Sequence, residues 1–587
     1  EHAINKNQLL RVEYSRNNND QDQLGVGGFD LYERAYDRQV RGNEFRVSTS
    51  GPVFHKMRNE VRLEADWDDT VSTSLSDAQI VSVKDAFTTG GAQIAGGRKA
   101  NTLEFADNLD FALGKKHALR AGLLIQGGSF RSDESRNYNG TYTFASNDAF
   151  LAGEPLQFSQ RFGDPLVEYR SFQFGAYLQD DFRVKKSLLL SYGLRYEAQT
   201  HLGDNINLSP RVSFAWTPFK SGSTTLRGGF GVFNDWYDDS LYEQALRLDG
   251  EHQRDLIVRN PTYPAIDLSG AAQLAPSVTR IAGDLVMPQI TRASFGVEHA
   301  FTNWAQFRSN YFIQRSDEFR AVNLNSPIDG VRPLPAFGII TYVDTIGEAK
   351  SQGIDLSMNL NYAPKRIFGT INYRLAKAMN DGDSATSLPM NSADLAAEWG
   401  PARNDVRHRI FGFVSMPLKY GLRSNVNMRY ESGLPYNITT GFDDNGDDVS
   451  NDRPAGVSRN SARGDGLLNL DLRLSWQKSI GQARDPGPGA PGGPGGGPVV
   501  IRAPGGGPGG GGGGGRGGPG GGGGFGGGFG PGAGNGRVNV ELFAQVTNLT
   551  NTVNLRNYSG VLTSNFFGQP TASAEPRRVE LGMRFGF

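Results

Sequence analysis

The chain has 587 residues, with 60 Lys and Arg against 61 Asp and Glu, a formal charge of −1 and no Cys. The balanced charge argues against a nucleic-acid partner, and the lack of Cys excludes disulfides, thiolate metal sites and a Cys nucleophile. Mean hydropathy is −0.44, and the absence of any run of roughly 18 apolar residues excludes helical membrane spans but not a β-barrel, whose lumen and loops are polar.

The first strand-like stretch, Gln8–Tyr14, stands close to Glu1, so the chain is expected to start inside a larger architecture. Further on, Phe172, Phe174, Ala176, Leu178, Phe182 and Val184 alternate with Gln173, Gly175, Tyr177, Gln179, Asp181 and Arg183. That two-residue period predicts a strand with one apolar and one polar face. Asp180 is the one charge on the apolar face, near a strand end where the cost is about 0–1 kcal/mol. Leu188, Leu190, Tyr192, Leu194 and Tyr196 repeat the pattern against Ser191, Gly193, Arg195 and Glu197. So do Leu468–Trp476, with Asn469, Asp471 and Arg473 on the polar face, and Val538–Val546. The last segment alternates Val579, Leu581, Met583, Phe585 and Phe587 with Glu580, Gly582, Arg584 and Gly586.

Short and long connections alternate between these segments. Short ones include Val53–Met57, Gly114–His117, Lys185–Ser187, Phe301–Trp304 and Ala363–Arg366. Long ones include Ser15–Gly42, Asp69–Arg98, Gly128–Arg170, Trp236–Thr291, Gln314–Lys350, Ala378–Arg403, Glu431–Asp465 and Leu549–Glu575, with His201–Ile206 short where a long loop is due. A transmembrane barrel shows this asymmetry, with short periplasmic turns and long extracellular loops; a soluble sandwich has no reason for it. The expected fold is an all-β transmembrane antiparallel barrel of about eighteen strands, inside the usual range of roughly 8 to 26. The expected organisation is barrel strands and loops over 1–480, a Gly/Pro-rich low-complexity insert over 481–536, and the last two strands over 537–587.

Several segments resemble the barrel of TonB-dependent outer-membrane transporters, specifically the Oar-like acidobacterial and myxobacterial group. They are Tyr177–Phe182, Tyr192–Glu197, Leu208–Trp216, Leu226–Phe233, Asn451-Asp452-Arg453-Pro454-Ala455-Gly456 and Arg577–Gly582. The resemblance implies a 22-stranded barrel in the complete protein, an N-terminal plug and a TonB box. It also implies uptake of a large or scarce solute driven through TonB. No plug or TonB box is recognised in this chain, so both are expected upstream of Glu1. The terminal aromatics Phe585 and Phe587 resemble the signal read by the barrel-assembly machinery. If Phe587 is periplasmic, every long loop falls outside the cell and the insert falls on the periplasmic side. Implied surroundings are outer-membrane lipid and lipopolysaccharide.

No catalytic motif is found: there is no His-Glu-x-x-His, no Walker A loop and no Gly-x-Ser-x-Gly, so an enzyme is not expected. Three polar sets remain. Asp443, Asn445 and Asp447 have the alternate oxygen spacing that opens a calcium loop, although Asp448 stands where Gly is expected at the sixth place and Pro454 where Glu is expected at the twelfth. The competing reading is an acidic turn. Asp235, Trp236, Tyr237 and Asp238 could contact a sugar or peptide, or belong to an interfacial aromatic girdle with Trp67, Trp216, Trp304 and Trp476. Gln173, Tyr177, Arg195, Glu197, Asp471 and Arg473 are expected to line the lumen. The alternative function is a passive or non-transporting barrel with an adhesion, secretion or surface-assembly role.

Overall fold

The computed structural model describes residues 2–3, 8–54, 57–266, 275–480 and 538–586. The Gly/Pro-rich insert and Phe587 lie outside those residues. One 22-stranded sheet dominates. Four of its strands are pieces of two to four residues; the other eighteen run for 9 to 23 residues. These are β1 (Leu9–Leu24), β2 (Tyr36–Pro52), β3 (Met57–Ser74), β4 (Ile94–Leu113), β5 (His117–Ser132) and β6 (Val167–Lys185). Then come β7 (Leu188–Gln199), β8 (Asn207–Trp216), β9 (Thr224–Asn234), β10 (Gln289–Ala300), β11 (Ala305–Asn323) and β12 (Ile340–Tyr362). The last six are β13 (Ile367–Asn380), β14 (His408–Pro417), β15 (Leu422–Glu431), β16 (Leu467–Ile480), β17 (Val538–Thr547) and β18 (Arg578–Gly586). Each pairs antiparallel with the next in sequence, so the eighteen form an up-and-down meander.

Register puts the apolar alternation of neighbouring strands on a common face. Tyr14 stands opposite Phe45, Phe45 opposite Ala65, and Ala65 opposite Leu103. Leu178 stands opposite Leu194 and Val546 opposite Val579. This face is not covered by protein: Leu178 is 52% exposed, Leu194 48% and Leu581 82%. So continuous an exposed apolar belt belongs against lipid. The opposite face carries Gln173, Tyr177, Arg195 and Glu197 on β6 and β7, and Asp471 and Arg473 on β16. Gly122 on β5 lies under Tyr177; a Cβ there would meet the ring at 2.2 Å, so glycine leaves room for the ring to reach Asn108 with its hydroxyl.

One expectation is corrected. The strands run well past the loop boundaries read from hydropathy: β1 and β2 stay paired through Asn17–Gln21 and Arg38–Gly42, inside the expected loop Ser15–Gly42. Above the lipid both faces are polar, so the alternation stops while the backbone ladder continues. Of the tryptophans offered for the girdle, Trp67 lies within β3 and Trp476 within β16, while Trp216 ends β8 and Trp304 immediately precedes β11. Asp180 relies on partners as well as a strand-end position: its Oδ2 meets His117 Nδ1 at 2.6 Å and accepts from the Tyr192 hydroxyl at 2.8 Å. The neighbouring strands thus supply partners to Oδ2, while Oδ1 is buried without a hydrogen-bond partner.

A charge placed in mid-belt should discriminate the two faces. Leu194→Arg is expected to cost about 2–4 kcal/mol in lipid vesicles, falling if the site lies nearer an interface. Gln179→Arg, one strand away on the opposite face, is expected to cost far less; reversible denaturant unfolding in the same vesicles measures both.

Candidate functional site

The buried apolar cores lie in the long connections and in the strand ends that extend into them, as at Ala321 on β11 and Val343 on β12. Five short strands from three loops form a second sheet: Ile80–Val83, Phe87–Thr89, Thr141–Phe144, Gln157–Gly163 and Gln253–Arg259. Val83, Tyr142, Phe144 and Phe158 pack at its centre, all at most 2% exposed. Tyr263 and Phe150 close the cluster edge-on, with ring centroids 5.1 Å from Tyr142 and 5.3 Å from Phe144 respectively. Each such aromatic contributes about 1.5–3 kcal/mol by leaving water. A second core gathers Tyr237, Leu241, Ala282, Leu285, Ala321 and Val343.

A short helix, α1 (Asn147–Ala152), flanks the first core, and α2 (Asp239–Arg247) flanks the second. Asp238 starts α2 by accepting the Ser240 amide at 2.8 Å. Glu243 on α2 then accepts Arg98 of β4 at 3.0 Å, which fastens the cap to the strands below.

The loops meet over the mouth of the barrel. Lys84, after the third strand, donates to the carbonyl of Gly441, after the fifteenth, at 2.5 Å. Asp85 accepts from Ser559, and Phe29 packs on Phe566 with centroids 5.7 Å apart. These contacts join loops far apart along the meander. Burial pushes the Lys84 amine down to about 8, against the opposing pull of Asp85 and Asp443.

The loop 432–466 is the hub of this roof. Arg453 and Glu398, 3% and 5% exposed in their side chains, form a two-pronged pair at 2.9 and 3.0 Å. Glu398 also accepts the Met390 amide at 3.0 Å. Arg459 donates to the Glu398 carbonyl at 2.7 Å and to Asp383 at 2.5 Å, while Asn451 donates to the Leu388 carbonyl at 2.9 Å. Asp405, 1% exposed, is held between Arg407 and Arg463. The run Asn451–Gly456 is therefore a clamp between two loops. Sequence reading singled it out only as a resemblance, because neither Glu398 nor Asp383 is near it in the chain.

The sequence candidates divide in the fold. Asp443, Asn445 and Asp447 lie in the hub: the Asp447 amide donates to Asp443 Oδ1 and Asn445 Oδ1, both at 2.9 Å, and Asp448 donates its amide to Asp443 Oδ2 at 3.0 Å. Burial pushes the Asp447 carboxyl up to about 6, with Asp443 and Asp452 adding to the effect. The four-residue solute set does not stay together. Tyr237 is 2% exposed within the second core, which removes its ring from both the proposed contact and the girdle, and Asp238 is occupied as the helix cap. Asp235 remains exposed and lines a recess of about 340 Å³ with Asp317, Glu318, Asp381 and Asp383. Trp236 is half-buried.

The polar barrel face is built of linked charges. Arg195 donates to Glu197 at 2.8 Å, and Glu197 also accepts from Ser209. Arg473 donates to Glu541 at 2.9 Å and lies over the Phe543 ring at 4.0 Å. Asp471 accepts the Asn548 amide at 2.9 Å. Glu44, Glu64 and Asp66 cluster on the corresponding face of β2 and β3, with Arg46 on Glu64 at 2.8 Å.

An unbroken meander, an exposed apolar belt and a charged inner face are what an outer-membrane barrel requires, and the family model described as outer membrane beta barrel domain matches residues 1–207 and 202–478. The chain belongs to that family. It is an outer-membrane protein. Similar solved structures include the outer membrane transporter YddB from Escherichia coli (12% identity, TM-score 0.58), covering 99% of this chain and 67% of that one. The FrpB iron transporter from Neisseria meningitidis matches with 11% identity and TM-score 0.55, over 99% of this chain and 70% of that one. FpvA of P. aeruginosa, in a structure bound to heterologous pyoverdines, matches with 11% identity and TM-score 0.55, over 99% and 63%. At such identities the likeness establishes the fold alone, and the chain spans about two thirds of the length of these structures. A search of curated protein sequences returned no match.

Removing one side of the buried clamp tests its weight. Arg453→Met leaves Glu398 buried without its cation and is expected to cost about 3–5 kcal/mol of local stability. Arg453→Met with Glu398→Gln is expected to recover part of that loss. Hydrogen exchange in 381–407 and 432–466, with the barrel strands as internal control, reads both.

Proposed function

We propose that this chain is the barrel of a TonB-dependent, Oar-like receptor that takes up a large or scarce solute across the outer membrane. The roof over the mouth carries the reading. Loops with their own sheet, two apolar cores and buried ion pairs make a selective surface above a charged lumen. A diffusion pore gains nothing from closing its mouth with folded structure. Solute would be caught by the outer loops, with the recess around Asp235 in reach, and pass along the face that carries Gln173, Tyr177, Arg195, Glu197, Asp471 and Arg473. YddB and FrpB, similar in fold, are described as transporters.

In this reading a plug and TonB box upstream of Glu1 supply the energy coupling, and the chain itself carries no enzymatic step. The outer edges of β1 and β18 have no long strand beside them among the described residues. Bare edges within lipid leave backbone groups unpaired, so further strands, to the 22 of the resemblance, would close the ring. Phe585, 53% exposed on the apolar face of β18, serves with Phe587 as the signal to the barrel-assembly machinery. Lipid and lipopolysaccharide surround the belt, and the insert 481–536 falls on the periplasmic side.

Cells carrying the native full-length protein and cells lacking its gene should differ in which solutes they deplete from the medium. Mass spectrometry of the medium, with and without a protonophore, measures this. Depletion that the protonophore abolishes while surface binding persists is the expected result. Depletion indifferent to the protonophore would make the protein a passive barrel, and unchanged depletion with altered cell adhesion would assign it a surface role.

A further inference from the structure

The hub loop carries more negative charge than its partners neutralise. Asp443, Asp444, Asp447, Asp448 and Asp452 fall within ten residues. The cations that reach them are already engaged: Arg259 pairs with Asp443 at 2.9 Å and with Asp448, Arg332 pairs with Asp448, and Lys84 is bonded to the Gly441 carbonyl. Asp447 is 1% exposed. Its Oδ1 accepts the Val449 amide at 2.9 Å, but its Oδ2 is fully buried with no hydrogen-bond partner. A buried carboxylate oxygen without a hydrogen bond, in a loop with more carboxylates than cations, calls for a cation.

The backbone supplies the rest of the arrangement. The Asp447 amide is shared between Asp443 Oδ1 and Asn445 Oδ1, which draws those two oxygens together. Asp448, at the place where a calcium loop has glycine, adopts φ +73°, the left-handed conformation that glycine provides there and that Asp tolerates. Asp452 accepts the Asp444 amide at 2.7 Å and brings a further carboxylate to the cluster.

We propose that Asp443, Asn445 and Asp447, with Asp452 beside them, bind calcium and that the ion locks the roof of the barrel. The ligands are hard oxygens of mixed charge, as calcium prefers. The loop they sit in touches four others: Lys84, Arg259 and Arg332 reach into it, and Asn445 donates to the Met390 carbonyl at 2.6 Å. An ion there would rigidify several loops at once. This inference does not depend on the transport reading; it holds equally for a passive barrel.

The test uses the native full-length protein in detergent, stripped with EGTA and titrated with calcium chloride. Calorimetry is expected to show binding at about 0.1–1 mM or tighter, as in extracellular calcium modules, with magnesium much weaker. Hydrogen exchange in 432–466 and 381–407 is expected to slow with calcium while the barrel strands stay unchanged. Asp447→Asn keeps the bond to Val449 and is expected to weaken calcium binding more than about tenfold and to abolish the calcium-dependent protection. No heat and no change in exchange at about 10 mM, beyond the weakest such modules, overturns the proposal. Equal calcium affinity in Asp447→Asn and the parent overturns it as well. Should that variant fail to assemble, the parent titration alone decides.

Discussion

Backbone hydrogen bonding in a medium without water is the constraint on which this molecule depends. Within the bilayer an unpaired amide or carbonyl costs several kcal/mol, so strands can cross only if every neighbour completes the ladder. The sequential antiparallel pairing from Leu9 to Gly586 meets that demand with the simplest topology. Once the ladder fixes the strands, the two-residue period fixes what each side chain faces. Apolar residues meet lipid, and charged ones meet each other across the inner wall, as with Arg195 and Glu197 or Arg473 and Glu541.

The ladder also determines where an apolar core can exist. The barrel wall is one sheet thick, with lipid on one side and polar groups on the other, so it buries little of its own. Burial happens instead in the loops and at the strand ends that reach into them, as at Ala321 and Val343. Tyr142, Phe144 and Leu285 are fully buried there, and ion pairs such as Arg453 with Glu398 are almost dry. A buried pair of this kind adds little net stability compared with apolar packing, but breaking it is costly. Its value here is in specifying which loop meets which.

A roof made this way is carried on a wall of the outer-membrane barrel type. Its loops are tied by contacts between residues hundreds of positions apart, such as Lys84 with Gly441 and Asp85 with Ser559. The hub loop and the acidic recess around Asp235 belong to this part of the molecule.

The period of two and the alternation of short and long connections were legible in the sequence, because lipid imposes them strand by strand. They were enough for the barrel, for about eighteen spans, and for the side of the sheet that Gln173 or Arg473 occupies. Strand ends were not legible, because pairing continues after hydropathy stops reporting it, as in Asn17–Gln21. Nor was the fate of loop residues. Tyr237 reads as an exposed aromatic in its run of acids, yet it fills a core with Leu285, farther along the same connection, and with Ala321 and Val343 on β11 and β12. The spacing of Asp443, Asn445 and Asp447 was visible along the chain. Only the tertiary structure decided that Asp447 is buried and that Arg259 and Arg332 spend their charge on its neighbours, because burial and pairing arise from distant segments that local sequence does not encode.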